Sequence, residues 1–126
     1  MLQVGIRGSG EAVVTEAVTA KAMGSGELPV YATPAMVTLV EETAWKSVAP
    51  ALEPGQGTVG TKLDLAHLVA TPLGRKVRCE TELIEIDRRR LTFSAEVFDE
   101  AGKIGEGTHE RCIVDSERFL AKANGR

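Results

Sequence analysis

TPAMVTLVEETAWKSV, residues 33–48, is the stretch from which the fold can be read. Thr33 suits a helix N-cap, because its hydroxyl accepts from a first-turn amide. Pro34 suits the first helical position, where a missing N–H costs nothing. The helix is expected to stop near Pro50, with Glu53-Pro54-Gly55 as its exit turn. On a wheel of about 100° per residue, Met36, Val37, Val40, Ala44 and Val48 fall within one arc of about 120°. Glu42 lies opposite, four residues before Lys46, which suits a solvated i,i+4 pair. Glu41 projects about 20° beyond Val48, between it and Trp45, on the margin of the apolar face. A carboxylate there loses part of its hydration and calls for a partner.

Beyond the helix the pattern changes to period two. Thr58–Ala70 reads as a long strand, with Thr71-Pro72-Leu73-Gly74 as a turn and Lys76–Ile86 as a second strand. Asp87-Arg88-Arg89-Arg90 makes a hairpin into Leu91–Phe98, where Leu91, Phe93, Ala95 and Val97 share one face. Asp99-Glu100-Ala101-Gly102 turns into a last strand, Lys103–Val114, and Ser116–Ala123 reads as a tail helix. Before the helix, residues 2–7 and Glu11 to Val18 are two extended candidates, and Gly24-Ser25-Gly26 breaks the chain. One helix cannot cover both faces of such a sheet. The expected solution is α+β, an antiparallel sheet wrapped around one long central helix, with a sheet edge or face buried against a second copy.

The totals agree with one domain, residues 1–126. The chain is 43% hydrophobic and 26% charged, with a net charge of −3. That balance is globular and gives no global basic field for nucleic acid, though a local basic patch for a nucleotide-like ligand stays open. Cys79 and Cys112 lie in strand-like runs outside any C-x-x-C pair and read as reduced core residues. No secretion signal or membrane-spanning run is expected, so the cytoplasm is the expected location.

Two residues interrupt the apolar pattern where chemistry would need them. In the first long strand Val59, Thr61, Leu63, Leu65, His67 and Val69 share one face, and Lys62 and Asp64 the other. His67 therefore points with the apolar set toward the helix. A Glu and a His on two inward surfaces suit general-base chemistry, although a half-exposed helix Glu and a satisfied core His account for the same pattern. Thr33 is explained as a cap, yet a hydroxyl at a helix N-terminus also sits among free amides in a positive field. His109 is read as structural.

Several blocks together resemble the fluoroacetyl-CoA thioesterase-like family of hotdog-fold thioesterases. They are Tyr31-Ala32-Thr33-Pro34-Ala35-Met36, Glu41-Glu42, Val48-Ala49-Pro50-Ala51-Leu52-Glu53-Pro54-Gly55, Val59-Gly60-Thr61, Ala66-His67-Leu68-Val69-Ala70-Thr71-Pro72, Arg89-Arg90-Leu91, and Ile104-Gly105-Glu106-Gly107-Thr108-His109-Glu110-Arg111. The resemblance spans roughly residues 30 to 122. It implies the hotdog fold and a catalytic set that falls on Thr33, Glu41 and His67. It also implies a Gly60 backbone amide near the thioester, and Arg111 near the carboxylate. The phenylalanine-bearing lid that fluoroacetyl-specific members carry before the helix has no counterpart in Gly24-Ser25-Gly26-Glu27-Leu28-Pro29-Val30, so a substrate other than fluoroacetyl-CoA is expected. A more open acyl pocket, lined by Val30, Tyr31 and Met36, is expected instead.

The activity so implied is hydrolysis of a small or medium acyl-CoA to the acid and CoA. Thr33 would attack, or a water would be positioned, with helix-start amides and Gly60 on the oxyanion. No cofactor is implied beyond the CoA of the substrate, and the single inward His makes no metal site. CoA is expected across a homodimer interface, in a dimer or a dimer of dimers. Its phosphates are assigned either to Arg88, Arg89 and Arg90 or elsewhere, those arginines also reading as a solvated hairpin. A non-hydrolytic acyl-CoA or small-ligand binding module is the competing class. A hotdog hydratase is a third, whose His–acid context is not found here.

Overall fold

The computed structural model describes residues 1–126. Strands β1 (Arg7–Val13), β2 (Gln56–His67), β3 (Lys76–Asp87), β4 (Arg90–Asp99) and β5 (Gly102–Asp115) form one antiparallel sheet in the order β1-β3-β4-β5-β2. Helices are α1 (Ala20–Met23), α2 (Thr33–Val48) and α3 (Ser116–Asn124). The sheet curls around α2, as the element order requires.

The α2 stripe is wider than expected. Ala35, Met36, Leu39, Val40, Thr43, Ala44 and Val48 are buried, an arc of about 220°. Val37 is only half-buried although it projects between the buried Ala44 and Val48, and the buried face extends further round to Leu39, Thr43 and Ala35. The expected Glu42–Lys46 pair forms at 3.4 Å. The four β4 residues expected to face inward are all buried, because that strand's alternation runs unbroken from Leu91 to Val97.

At the N-terminus the two extended candidates resolve into one strand. Residues 2–6 stay outside it, with Gly5 N–H donating to the Leu83 carbonyl at 2.8 Å. Gly8 and Gly10 let β1 pass close under the helix. A Cβ at Gly8 would lie 2.9 Å from the Thr43 carbonyl and 2.8 Å from Ser47 Cβ. Gly8→Ala is therefore expected to cost about 1–3 kcal/mol by overpacking. Urea denaturation checks this, and an unchanged midpoint would show that the helix lifts freely.

Bulges decide the rest. In β2 the register slips between Gly60 and Lys62. Before it, Thr58 and Gly60 pair with the inward Ile113 and Arg111. After it, Leu63, Leu65 and His67 take the inner face. Val59 and Thr61 are thus not on the helix side, which corrects the uniform alternation: the extra residue inverts the faces upstream of it. The strand ends at His67, so Val69 lies beyond it, exposed. In β5 the register slips opposite Val97/Phe98, and both Ile104 and Gly105 are buried. Both cysteines are free. Cys79 is in the core, but Cys112 is only half-buried, on the outward side of β5.

Candidate active site

Thr33 differs from the cap expected of it. The N-cap is Ala32, with no side-chain cap, and Thr33 is already helical. Its hydroxyl is spent on His67, with Oγ1 2.8 Å from Nδ1. With the hydroxyl donating, Nδ1 accepts and the ring is neutral with its proton on Nε2. Burial holds the His67 imidazole below the ordinary histidine range, the Val69 backbone opposing part of the effect. Nε2 is itself buried without a hydrogen-bond partner. Such orphans are costly, and each calls for a partner or a role.

The helix start offers fewer amides than its position suggests. Pro34 has none, and Ala35 and Met36 both donate to the Ala32 carbonyl. Thr33 N–H is the first-turn amide without a backbone partner, beside its own hydroxyl. The pair opens on a cleft of about 280 Å³ lined by Val30, Tyr31, Thr33, His67, Leu68 and Val69, among others. Val30 and Tyr31 therefore stand where the pocket was expected. Tyr31 sets its ring edge-on to His67, centroids 6.3 Å apart, and burial raises its hydroxyl to about 12. Met36 does not reach the cleft. It is fully buried against Gly105, where a Cβ would come within 2.6 Å of its sulfur, because β5 crosses the helix there.

Glu41 does not meet His67 within the chain. It accepts from Arg111 Nη1 at 3.1 Å, with 42% of its side chain exposed. Arg111, almost wholly buried, also donates through Nε to Thr58 Oγ1 at 2.8 Å and through Nη2 to the Thr58 carbonyl at 3.0 Å. Its Nη1 lies 3.0 Å from His109 Nε2. A guanidinium only donates, so Nε2 accepts and His109 Nδ1–H donates to the Lys62 carbonyl at 2.8 Å. His109 is thus neutral, stacked on Phe93, and burial holds it below the ordinary range. Gly60 lies under Glu41, where a Cβ would overlap the carboxylate.

The chain so holds two half-sites, Thr33–His67 and Glu41–Arg111–His109. Thr58 and the contact of His109 with Arg111 went unread in the sequence, while the structural reading of His109 fits its burial. Both depend on the β2 bulge, and no local signal marks either. No group of three His, Cys, Asp or Glu side chains is placed to hold a metal ion.

A curled antiparallel sheet around one long central helix is the hotdog architecture. The model of the family described as fluoroacetyl-CoA-specific thioesterase matches residues 14–117. The fluoroacetyl-CoA thioesterase of Streptantibioticus cattleyicolor is 42% identical over 93 residues, 74% of this chain and 67% of that protein. A threonine-to-serine variant of a fluoroacetyl-CoA thioesterase, solved in complex with acetyl-CoA, superimposes with a TM-score of 0.93 at 34% identity, covering 98% of each chain. A thioesterase-superfamily protein of Thermus thermophilus matches at 0.90 and 28%, over 98% of this chain and 92% of that one. The chain belongs to the fluoroacetyl-CoA-specific thioesterase family and is a thioester hydrolase.

Proposed function

We propose that the protein hydrolyses small or medium acyl-CoA thioesters through Thr33, His67 and Glu41, as a cytoplasmic homodimer needing no cofactor beyond the CoA of its substrate. The observation that carries this is the 2.8 Å contact between Thr33 Oγ1 and His67 Nδ1 at the mouth of a cleft. It is the geometry of a nucleophile and its base. His67 takes the hydroxyl proton as Oγ1 attacks the thioester carbon. The free Thr33 amide lies nearest the developing oxyanion. Collapse expels CoA as the thiolate, which takes the proton from His67. Water, deprotonated by the same imidazole, then releases the acid and restores the hydroxyl.

The two half-sites support the dimer. Glu41 lies eight residues beyond Thr33, about 12 Å along the helix at about 1.5 Å per residue. A two-fold axis near Val37, midway between them, sets Glu41 of one copy opposite Thr33 of the other. The half-buried Val37 and the open β2 edge suit that packing. Gly60, which lets Glu41 lie close to the sheet, would then come with the carboxylate to the thioester. A cleft of about 280 Å³ sits at the small end of ligand pockets and favours short acyl groups. No helix is long and apolar enough to cross a membrane.

Free-thiol release from a panel of acyl-CoAs, short to long and aryl, tests the reading. Turnover should be greatest for short chains, with a burst of one CoA per site if acyl-Thr33 accumulates. Steady turnover without a burst, retained in Thr33→Ala, would replace the covalent route by water attack. A folded dimer with no turnover on any thioester would overturn the assignment.

A further inference from the structure

The chain carries a net charge of −3, yet one groove is cationic. It lies between the end of β5 and α3, with a volume of about 650 Å³, and is lined by Arg89, Arg118 and Lys122 around Ile113, Phe119 and Ala121. None of the three cations is in an ion pair. Arg89 is steadied by donating to the Ile113 carbonyl at 3.1 Å, which leaves most of its guanidinium free. Asp115 is the one carboxylate in the lining. It accepts from the Arg118 backbone N–H as the cap of α3, and so is turned to the helix. Phe119 is 43% exposed, its ring half open to the groove that it lines.

Unpaired cations with a half-exposed aromatic suit a phosphorylated nucleotide, whose phosphates take charge-assisted hydrogen bonds and whose base takes the ring. The groove also lies beside the Glu41 half-site. Ile113 pairs with Thr58, the residue that Arg111 grips, and a Cβ at Gly57 would lie 3.0 Å from Ser116 Oγ. We propose that this groove is the subsite for the 3′-phosphorylated ADP end of CoA, with Arg89, Arg118 and Lys122 on the phosphates and Phe119 on the adenine. The proposal rests on the thioesterase reading above. It moves the phosphate contacts from the hairpin triplet to a composite of its middle arginine and the tail helix.

The test compares one acyl group carried on CoA and on pantetheine, which lacks the nucleotide, in wild type, Arg118→Glu/Lys122→Glu and Phe119→Ala. The KM for acyl-CoA should rise about tenfold or more in the double variant, a loss of about 1.4 kcal/mol, with kcat unchanged. The acyl-pantetheine constants should not move. The wild-type KM for acyl-CoA should also climb with salt, and less steeply in the double variant. Equal changes for both thioesters, or none for either, would overturn the subsite. Calorimetric titration with adenosine 3′,5′-bisphosphate reads the groove without chemistry. Binding by wild type that the double variant loses supports the subsite even if no thioester turns over. Absent or unchanged binding counts against it.

Discussion

His67→Ala is expected to lower kcat for acyl-CoA hydrolysis by about 10²–10⁴-fold, the range for losing a positioned general base, with little change in KM. The imidazole stands 2.8 Å from Thr33 Oγ1, and no other side chain bonds that hydroxyl. Without it, Thr33 keeps its ordinary alcohol acidity and is a poor nucleophile near neutrality. His67 is half-buried at the end of β2, so its removal should leave the fold standing. The pH dependence carries a second signature. Burial depresses the His67 pKa, so the neutral base form prevails at pH 7. The acid limb of kcat/KM should lie below about 6.5, the unperturbed histidine value. Activity should fall only as pH drops through that lowered value, and the residual rate of the variant should lack this limb. A folded variant with kcat within a few-fold of wild type would remove His67 from the chemistry.

Arg111→Met is expected to destabilise the protein by about 3 kcal/mol or more, as breaking a buried charge pair does, and to depress activity as well. The guanidinium binds Thr58 twice, Glu41 once and His109 once, with only 6% of its side chain exposed. Its loss strands the Thr58 carbonyl and the His109 ring nitrogen, and frees the carboxylate to swing. Glu41 is 42% exposed, so water partly compensates it, which places the cost toward the low end of that class. Arg111→Lys should rescue little, because one ammonium on a flexible stem cannot reach four separated acceptors on three residues as a planar fork does. Thermal or urea unfolding gives the stability, and the acyl-CoA assay gives the activity. Full rescue by lysine would show that charge alone matters, against the fork geometry. An unchanged midpoint in Arg111→Met would show that the network adds no net stability.

Much of this was legible in residues close together in the chain. The helix came from a proline near each end and a 3.6-residue period between them. The strand bounds came from turn residues, and the β4 faces from alternation that no bulge interrupts. The solvated Glu42–Lys46 pair is a matter of helical spacing alone. The resemblance pointed to Thr33, Glu41, His67, Gly60 and Arg111, and the fold sets each at a surface, a cleft or a charged cluster. The wheel placed Met36 on the apolar arc, where it is buried; the pocket lining expected of it came with the resemblance and is not what the cleft shows. Gly105 packs against the Met36 sulfur instead.

Tertiary structure decided how those residues are paired. The Thr33–His67 bond spans 34 positions and the Arg111–Glu41 bond spans 70, and no local pattern encodes a partner so far away. One inserted residue at the Gly60/Lys62 bulge reverses the faces of β2. It brings Thr58 to Arg111 while leaving His67 on the helix side. Alternation has no memory of such a slip, so a strand read from sequence keeps its phase where the folded strand does not. The cationic groove follows the same logic. Arg89 and Lys122 are 33 positions apart and ordinary in isolation, and only the return of α3 onto β5 makes them neighbours. Local chemistry therefore settled the elements and singled out Glu41 and His67 as breaks in the apolar pattern. The meeting of distant strands settled which hydroxyl meets an imidazole, which carboxylate has a guanidinium, and which cations share a groove.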